Sequence, residues 1–104
     1  MTDEDASPIT AEQVIRFARS LGDQRLTTQA RGVAFSAAPW GSGLIYTLAE
    51  TGRTRPEPAS ALEKVVARFG DSRSLRPADY QDRTFNASYT LALLGYVVAA
   101  RRRT

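Results

Sequence analysis

The segment that most constrains the fold is the apolar run close to the C-terminus. Residues 85–100 read FNASYTLALLGYVVAA and would be apolar on every side of a helix. A helix of this kind lies at the centre of a domain or in a membrane. Its 16 residues are fewer than the roughly 20 that span a bilayer. The sequence therefore predicts a buried central helix over 84–101, in which Gly95 permits close packing, and no membrane segment.

Two other segments also have helical periodicity. Thr10 and Gln13 have the spacing of a capping box, in which each side chain accepts a hydrogen bond from the other residue's backbone N–H. Apolar residues then recur at i, i+3, i+4 and i+7, which predicts a first helix over 10–21 that ends at Gly22. The same period after Pro58 predicts a helix over 58–69 that Gly70 closes.

Between these helices the period changes to two, which is typical of strands. A short strand is expected around Arg25 to Gln29. A hairpin is expected to pair 32–38 with 43–49, because PWGSG at 39–43 holds proline and two glycines. Short strands between helices indicate a small antiparallel sheet with helices packed on one face.

The predicted fold is therefore α+β, with an antiparallel sheet of about three strands packed against three helices. At 104 residues the chain has the length of one domain, expected over 10–104 after a flexible acidic lead over 1–9. The core is predicted to contain the apolar residues Val14, Phe17, Leu21, Val33, Phe35, Ile45, Leu62, Val65, Val66, Phe69, Leu91 and Leu94.

Several kinds of chemistry are excluded by composition. The chain has no cysteine and no histidine, so it lacks disulfides, thiol nucleophiles and the commonest general base and metal ligand. A metal-dependent nuclease needs a lysine two positions after an acid, but Lys64 directly follows Glu63. The N-terminus is acidic, whereas a signal peptide begins with basic residues. This difference favours a cytoplasmic location. We expect a non-enzymatic protein that needs no metal or other cofactor.

Charge is distributed unevenly along the chain. Four acidic residues precede the first basic one, and residues 13–104 hold 14 basic and 7 acidic residues, a formal charge of +7. All the basic residues except Lys64 are arginine, which forms forked hydrogen bonds with phosphate. The same excess of arginine would follow from the codons of a GC-rich genome. A basic body favours polyanions, although its charge could equally serve solubility.

These features lead to the hypothesis of a nucleic-acid-binding module, with DNA favoured over RNA. Arginines of the strand ends and of the loop in TLAETGRTRPEP would hold phosphates, an amide would reach base edges, and an aromatic side chain would stack. The C-terminal Arg101 to Arg103 would add electrostatic reach without specificity. The candidate binding residues are Arg25, Gln29, Arg31, Trp40, Arg53 and Arg55.

The alternative is a protein-interaction module or an accessory subunit of a larger complex. Trp40 at a turn, with Tyr46 and Tyr80, supplies residue types that anchor interfaces. Asn86 and Thr90 stand four apart on the apolar helix, where they either tie it to a neighbouring strand or line a small pocket. The sequence favours no particular oligomeric state.

Overall fold

The computed structural model describes residues 8–29, 31–81 and 86–103, and of Arg103 only the backbone. The four strands form an antiparallel sheet in chain order, and adjacent strands follow one another in the sequence. The described part of the chain is thus the α+β arrangement of a small sheet and three helices that the sequence predicts. Its elements are α1 (Ala11–Leu21), β1 (Leu26–Thr27), β2 (Ala34–Trp40), β3 (Gly43–Leu48), β4 (Thr54–Glu57), α2 (Ala59–Ser72), a 3-10 helix (Pro77–Tyr80) and α3 (Ala87–Arg103).

The fourth strand, β4, is a correction, because its residues were expected to form a loop. Thr54–Glu57 pairs with β3, with Pro56 opposite Ile45. Proline within a run argues against a strand, but it is tolerated at a sheet edge where its missing N–H is not needed. Pro56 lies at such an edge, and its outward carbonyl accepts a hydrogen bond from the Asn86 side-chain amide at 2.9 Å.

The hairpin exists, but its turn is tighter than predicted. Strand β2 continues through Pro39 and Trp40, and Trp40 pairs with Gly43. Only Gly41 and Ser42 are left for the turn, and the φ of 60° at Gly41 suits a two-residue hairpin. Strand β1 has two residues, fewer than the span from Arg25 to Gln29 predicted for it.

The two faces of the sheet carry different residues. Phe35, Leu44 and Tyr46 are fully buried beneath the helices. Ile45 alternates with them, so it projects from the opposite face, and its predicted place in the core is wrong. Val33, which precedes β2, is half-buried and also lies outside the core cluster.

Helix α1 begins with the predicted capping box. The Gln13 N–H donates to Thr10 Oγ1 and the Thr10 N–H donates to Gln13 Oε1, each at 3.1 Å. Ile9 and Val14 are both buried, at the two positions that a hydrophobic staple joins. Most of the acidic lead predicted over 1–9 falls on residues 1–7, which lie outside the described ranges.

Helix α2 ends later than predicted. It passes through exposed Gly70 and ends at Ser72, because Arg73 adopts the left-handed conformation (φ 59°) and its N–H donates to the Phe69 carbonyl at 2.8 Å. Glycine inside a helix costs only about 1 kcal/mol, so it does not by itself end one. The Arg73 guanidinium lies 5.2 Å from the centre of the Phe69 ring.

Helix α3 crosses the sheet from β4 to β1 and covers backbone groups at both edges. Asn86, just before the helix, donates to the edge carbonyl of Pro56, and the Tyr96 hydroxyl accepts from the edge N–H of Thr27 at 3.4 Å. Such capping removes groups that another strand could pair with. The buried residues of α3 are Ala87, Thr90, Leu91, Ala92, Leu93, Leu94 and Val97. Within the described ranges no helix combines the length and apolarity needed to cross a membrane.

Candidate nucleic-acid interface

The predicted binding residues do not share one surface. In the antiparallel sheet, the β1–β2 loop with Gln29 and Arg31 lies at the same end as the β3–β4 turn with Arg53. Trp40 is 58% exposed at the opposite end, beside the β2–β3 turn. Arg25 is exposed and precedes β1, at the other end of that strand from Gln29.

Arg53, which directly precedes edge strand β4, and Arg55, which lies in it, form a pair of exposed side chains. The Arg53 carbonyl accepts from the Leu48 N–H at 2.8 Å, and Arg55 stands opposite Tyr46 in the register. The two arginines therefore project to the same side of the sheet, as their spacing predicts. Neither residue lines the three clefts described next.

The largest of these clefts, here called the main cleft, has a volume of about 860 Å³. It lies between the β1–β2 loop, the segment around the 3-10 helix and the first two turns of α3. Two of the predicted residues, Gln29 and Arg31, meet here with residues distant in sequence. The lining residues are Thr28, Gln29, Arg31, Val33, Leu75, Arg76, Pro77, Gln81, Ala87, Ser88, Tyr89, Leu91 and Ala92.

The described lining of the main cleft has two arginines and no acidic residue. Arg76 is 82% exposed, and its Nε lies 3.3 Å from Asp79 Oδ2 at the rim. A hydrogen bond from the Ser74 hydroxyl, helped by Arg76, lowers the pKa of Asp79 below its usual value. Asp79 is therefore ionised at neutral pH and orients the Arg76 side chain.

A second cleft of about 460 Å³, the C-terminal cleft, adjoins the first. Leu75 lines both clefts and is the lining residue that they share. Arg73, Arg101 and Arg102 line the C-terminal cleft together with apolar side chains, and again no acidic residue is among the described lining. We call the five arginines of the two clefts the arginine band: Arg31, Arg73, Arg76, Arg101 and Arg102.

A third cleft, between α1 and α2, is electrostatically different. Its volume is about 390 Å³, and it is lined by Arg16 and Arg19 but also by Glu12 and Glu63. Arg16 and Glu12 are 3.3 Å apart and form an exposed ion pair. Balanced charge of this kind does not favour a polyanion.

Sequence reasoning missed Arg73 and Arg76 as candidate binding residues. Both lie in the connection DSRSLRPADYQDR, where a polar composition gives no sign of a cleft. The only available signal was the arginine count of this connection, because the left-handed end of α2 that positions Arg73 depends on tertiary packing. Arg101 lies in α3, as the helix predicted over 84–101 requires, and α3 continues beyond that prediction to include Arg102.

The alternatives for Asn86 and Thr90 are resolved by a buried polar network. Asn86 Nδ2 donates to Glu57 Oε1 at 3.0 Å, and Thr90 Oγ1 donates to Glu57 Oε2 at 3.1 Å. Glu57 is 1% exposed at the end of β4. The side chains of Asn86 and Thr90 therefore tie the start of α3 to β4, and neither is needed to form a pocket.

Tyr46 completes this network from the neighbouring strand. Its hydroxyl lies 2.6 Å from Thr90 Oγ1. Burial, with a smaller contribution from the Glu57 carboxylate, raises the pKa of Tyr46 far above its ordinary value. The phenol therefore stays protonated and donates to Thr90, whose single proton goes to Glu57.

Comparison with protein-family models, curated proteins and solved structures finds no match to this chain. Among the described residues, no group of three or more acidic side chains comes close enough together to hold a metal ion.

Proposed function

We propose that the protein is a non-catalytic nucleic-acid-binding module that holds phosphates along the arginine band. The observation that carries the proposal is a pair of clefts that share Leu75 and are lined, among the described residues, by five arginines and no acid, with Asp79 outside the lining as the ion-pair partner of Arg76. Guanidinium groups form forked hydrogen bonds with phosphate oxygens, and their charge attracts the polyanion at a distance.

The arginine band adds residues to the interface predicted from sequence and moves its main contact from the β3–β4 turn to the clefts. Arg31 and Gln29 remain in the proposed interface, with Arg76 and Arg73 added from the connection after α2. Arg53 and Arg55, on the neighbouring turn, become a peripheral contact that a strand leaving the main cleft would meet. The preference for DNA over RNA remains a prediction.

The proposal is tested by fluorescence anisotropy with labelled single- and double-stranded DNA and RNA of matched sequence at several salt concentrations. Each phosphate contact contributes roughly 0.7–0.9 to the slope of log K against log salt. Engagement of the whole band therefore gives a slope of about −3.5 to −4.5. Absence of binding to any of the four probes at low salt would refute the proposal.

A second candidate, a protein-interaction module, is favoured by the outer face of the sheet. Strands β2 and β3 contribute only uncharged residues to this face, and Trp40 is exposed at one end of it. A protein partner on such a face would bind with little salt dependence, which separates this function from polyanion binding. The residues of β2 and β3 on the outer face are Ala34, Ser36, Ala38, Trp40, Gly43, Ile45 and Thr47.

A further inference from the structure

We propose that the main cleft is a pocket for one unstacked nucleotide, so that the protein binds single strands or strand ends in preference to continuous duplex. The inference rests on the proposed function and specifies its ligand. It depends on three features of the main cleft: its apolar walls, which the C-terminal cleft also has, and its larger size and the amide groups beside its arginines, which the C-terminal cleft lacks.

The volume of about 860 Å³ lies within the 300–1,000 Å³ typical of small-molecule sites, and it is nearly twice that of the C-terminal cleft. Its walls include Leu75, Pro77 and Leu91, and Tyr89, which packs on Phe35 with ring centres 5.2 Å apart. Apolar and aromatic walls suit the flat face of a base, whereas a phosphate alone gains nothing from them.

The amides of Gln29 and Gln81 supply the polar groups that a base edge requires. An amide presents a donor and an acceptor side by side, which matches the Watson–Crick or Hoogsteen edge of a base. Both glutamines line the cleft and are exposed to solvent, so they are accessible to a ligand.

Gln29 is further positioned by the helix beneath it. Its Nε2 would lie 3.0 Å from a Cβ built at Gly95, so the amide rests against α3 at the one residue of that turn without a side chain. The contact limits the amide on the side toward α3, while Gln29 remains exposed to solvent.

The two arginines of the cleft indicate the remaining part of the ligand, its phosphates. Arg31 comes from the β1–β2 loop and Arg76 from the segment before the 3-10 helix, so they reach the cleft from different parts of the fold. We assign them to the phosphate of the bound nucleotide and to the next phosphate along the strand. A ligand whose base lies between apolar walls and whose two phosphates contact guanidinium groups corresponds to one nucleotide of an extended strand.

The test titrates the full chain with each of the four deoxynucleoside monophosphates, and separately with deoxyribose 5-phosphate and inorganic phosphate, followed by NMR chemical shifts. We expect shifts concentrated at Leu75, Tyr89 and the side-chain amides of Gln29 and Gln81, and at least a tenfold weaker response to the two ligands without a base. Equal shifts with inorganic phosphate, or no shifts at the cleft, would overturn the inference.

Alanine variants test whether the side-chain amides of Gln29 and Gln81 bind the base. Gln29→Ala and Gln81→Ala should each weaken nucleotide binding about two- to tenfold, the effect of one lost hydrogen bond. Gln24→Ala removes an exposed glutamine that lies outside the cleft lining and should change nothing. If both cleft variants bind like the parent protein, the amides do not read a base and the assignment fails.

Polymer probes distinguish a nucleotide within a strand from a free nucleotide, and they separate this inference from the proposed function. A 12-nucleotide single strand should bind at least tenfold more tightly than the same sequence in a closed hairpin duplex, and the monophosphates should compete with it. Equal binding of both forms, with a steep salt slope, would overturn the pocket but leave nucleic-acid binding intact. Monophosphate binding without polymer binding would refute the proposed function and identify a free-nucleotide site.

Discussion

The β1–β2 loop and the β3–β4 turn lie at the same end of the sheet and both present arginine, but their surroundings differ. Arg31 faces a cleft whose other walls are the connection after α2 and the first turns of α3. Arg53, in the β3–β4 turn, and Arg55, on edge strand β4, lie outside the clefts described above. We therefore propose the cleft, and not the turn, as the principal contact, because a bound ligand gains from opposing walls that the edge strand lacks.

Helix α3 supports both regions, so its loss should have the largest effect. Leu94 is fully buried, and Leu94→Ala should lower the free energy of unfolding by about 2–5 kcal/mol, measured by urea denaturation. Leu94→Met keeps the volume and should cost less than about 1.5 kcal/mol. Near-equal stability of the alanine variant and the parent would mean that α3 is peripheral and that neither region depends on it.

The attachment of β4 to α3 depends on the buried polar network around Glu57. Thr90→Val keeps the shape of the side chain but removes the proton given to Glu57 and the oxygen that accepts from Tyr46. The free energy of unfolding should fall by about 1–3 kcal/mol, because the buried Tyr46 hydroxyl and Glu57 carboxylate each lose a hydrogen-bond partner. Thr54→Val, at an exposed position of β4, should stay within about 0.5 kcal/mol of the parent. Similar costs for the two variants would argue against a structural network.

Two double variants compare the contributions of the cleft and of the β3–β4 turn to DNA affinity. Arg31→Ala with Arg76→Ala should lower affinity for single-stranded DNA about tenfold or more, equivalent to about 1.4 kcal/mol, and reduce the salt slope by roughly 1.4–1.8. Arg53→Ala with Arg55→Ala removes the same charge from the neighbouring turn and should have a smaller effect on affinity. Circular dichroism checks that both variants fold. If the second pair causes the larger loss, the turn, and not the cleft, is the principal contact.

The smallest expected effect concerns Gly95, beneath Gln29. Gly95→Ala should raise the free energy of unfolding by up to about 1 kcal/mol, since alanine is the better helix former. The added Cβ would meet Gln29 Nε2 at 3.0 Å, so the amide must move by a few tenths of an ångström. We therefore expect higher stability in thermal denaturation together with weaker binding of mononucleotides. Gly70→Ala, in an exposed part of α2 with open space around it, should stabilise the helix without changing binding.

The errors of sequence reasoning share a physical origin. Strand β4 was hidden because Arg55 and Pro56 suppress the apolar alternation that marks a strand. Pairing with β3 and capping by Asn86 make it one. Ile45 was assigned to the core because hydrophobicity does not say which face of a strand is covered. Leu44 and Tyr46 take that place, because the register turns them toward the helices.

The sequence by itself determined the α+β class, the capping box of α1, the apolar faces of α1 and α2, and the buried character of α3. These properties follow from side-chain spacing over a few residues, which local geometry translates directly into a helix face or a strand face. Only the tertiary structure decided which arginines face a cleft. That grouping depends on residues far apart in the chain, such as Arg31 and Arg76, which line one cleft because of the way the loop, the 3-10 helix and α3 pack together and not because of any local pattern.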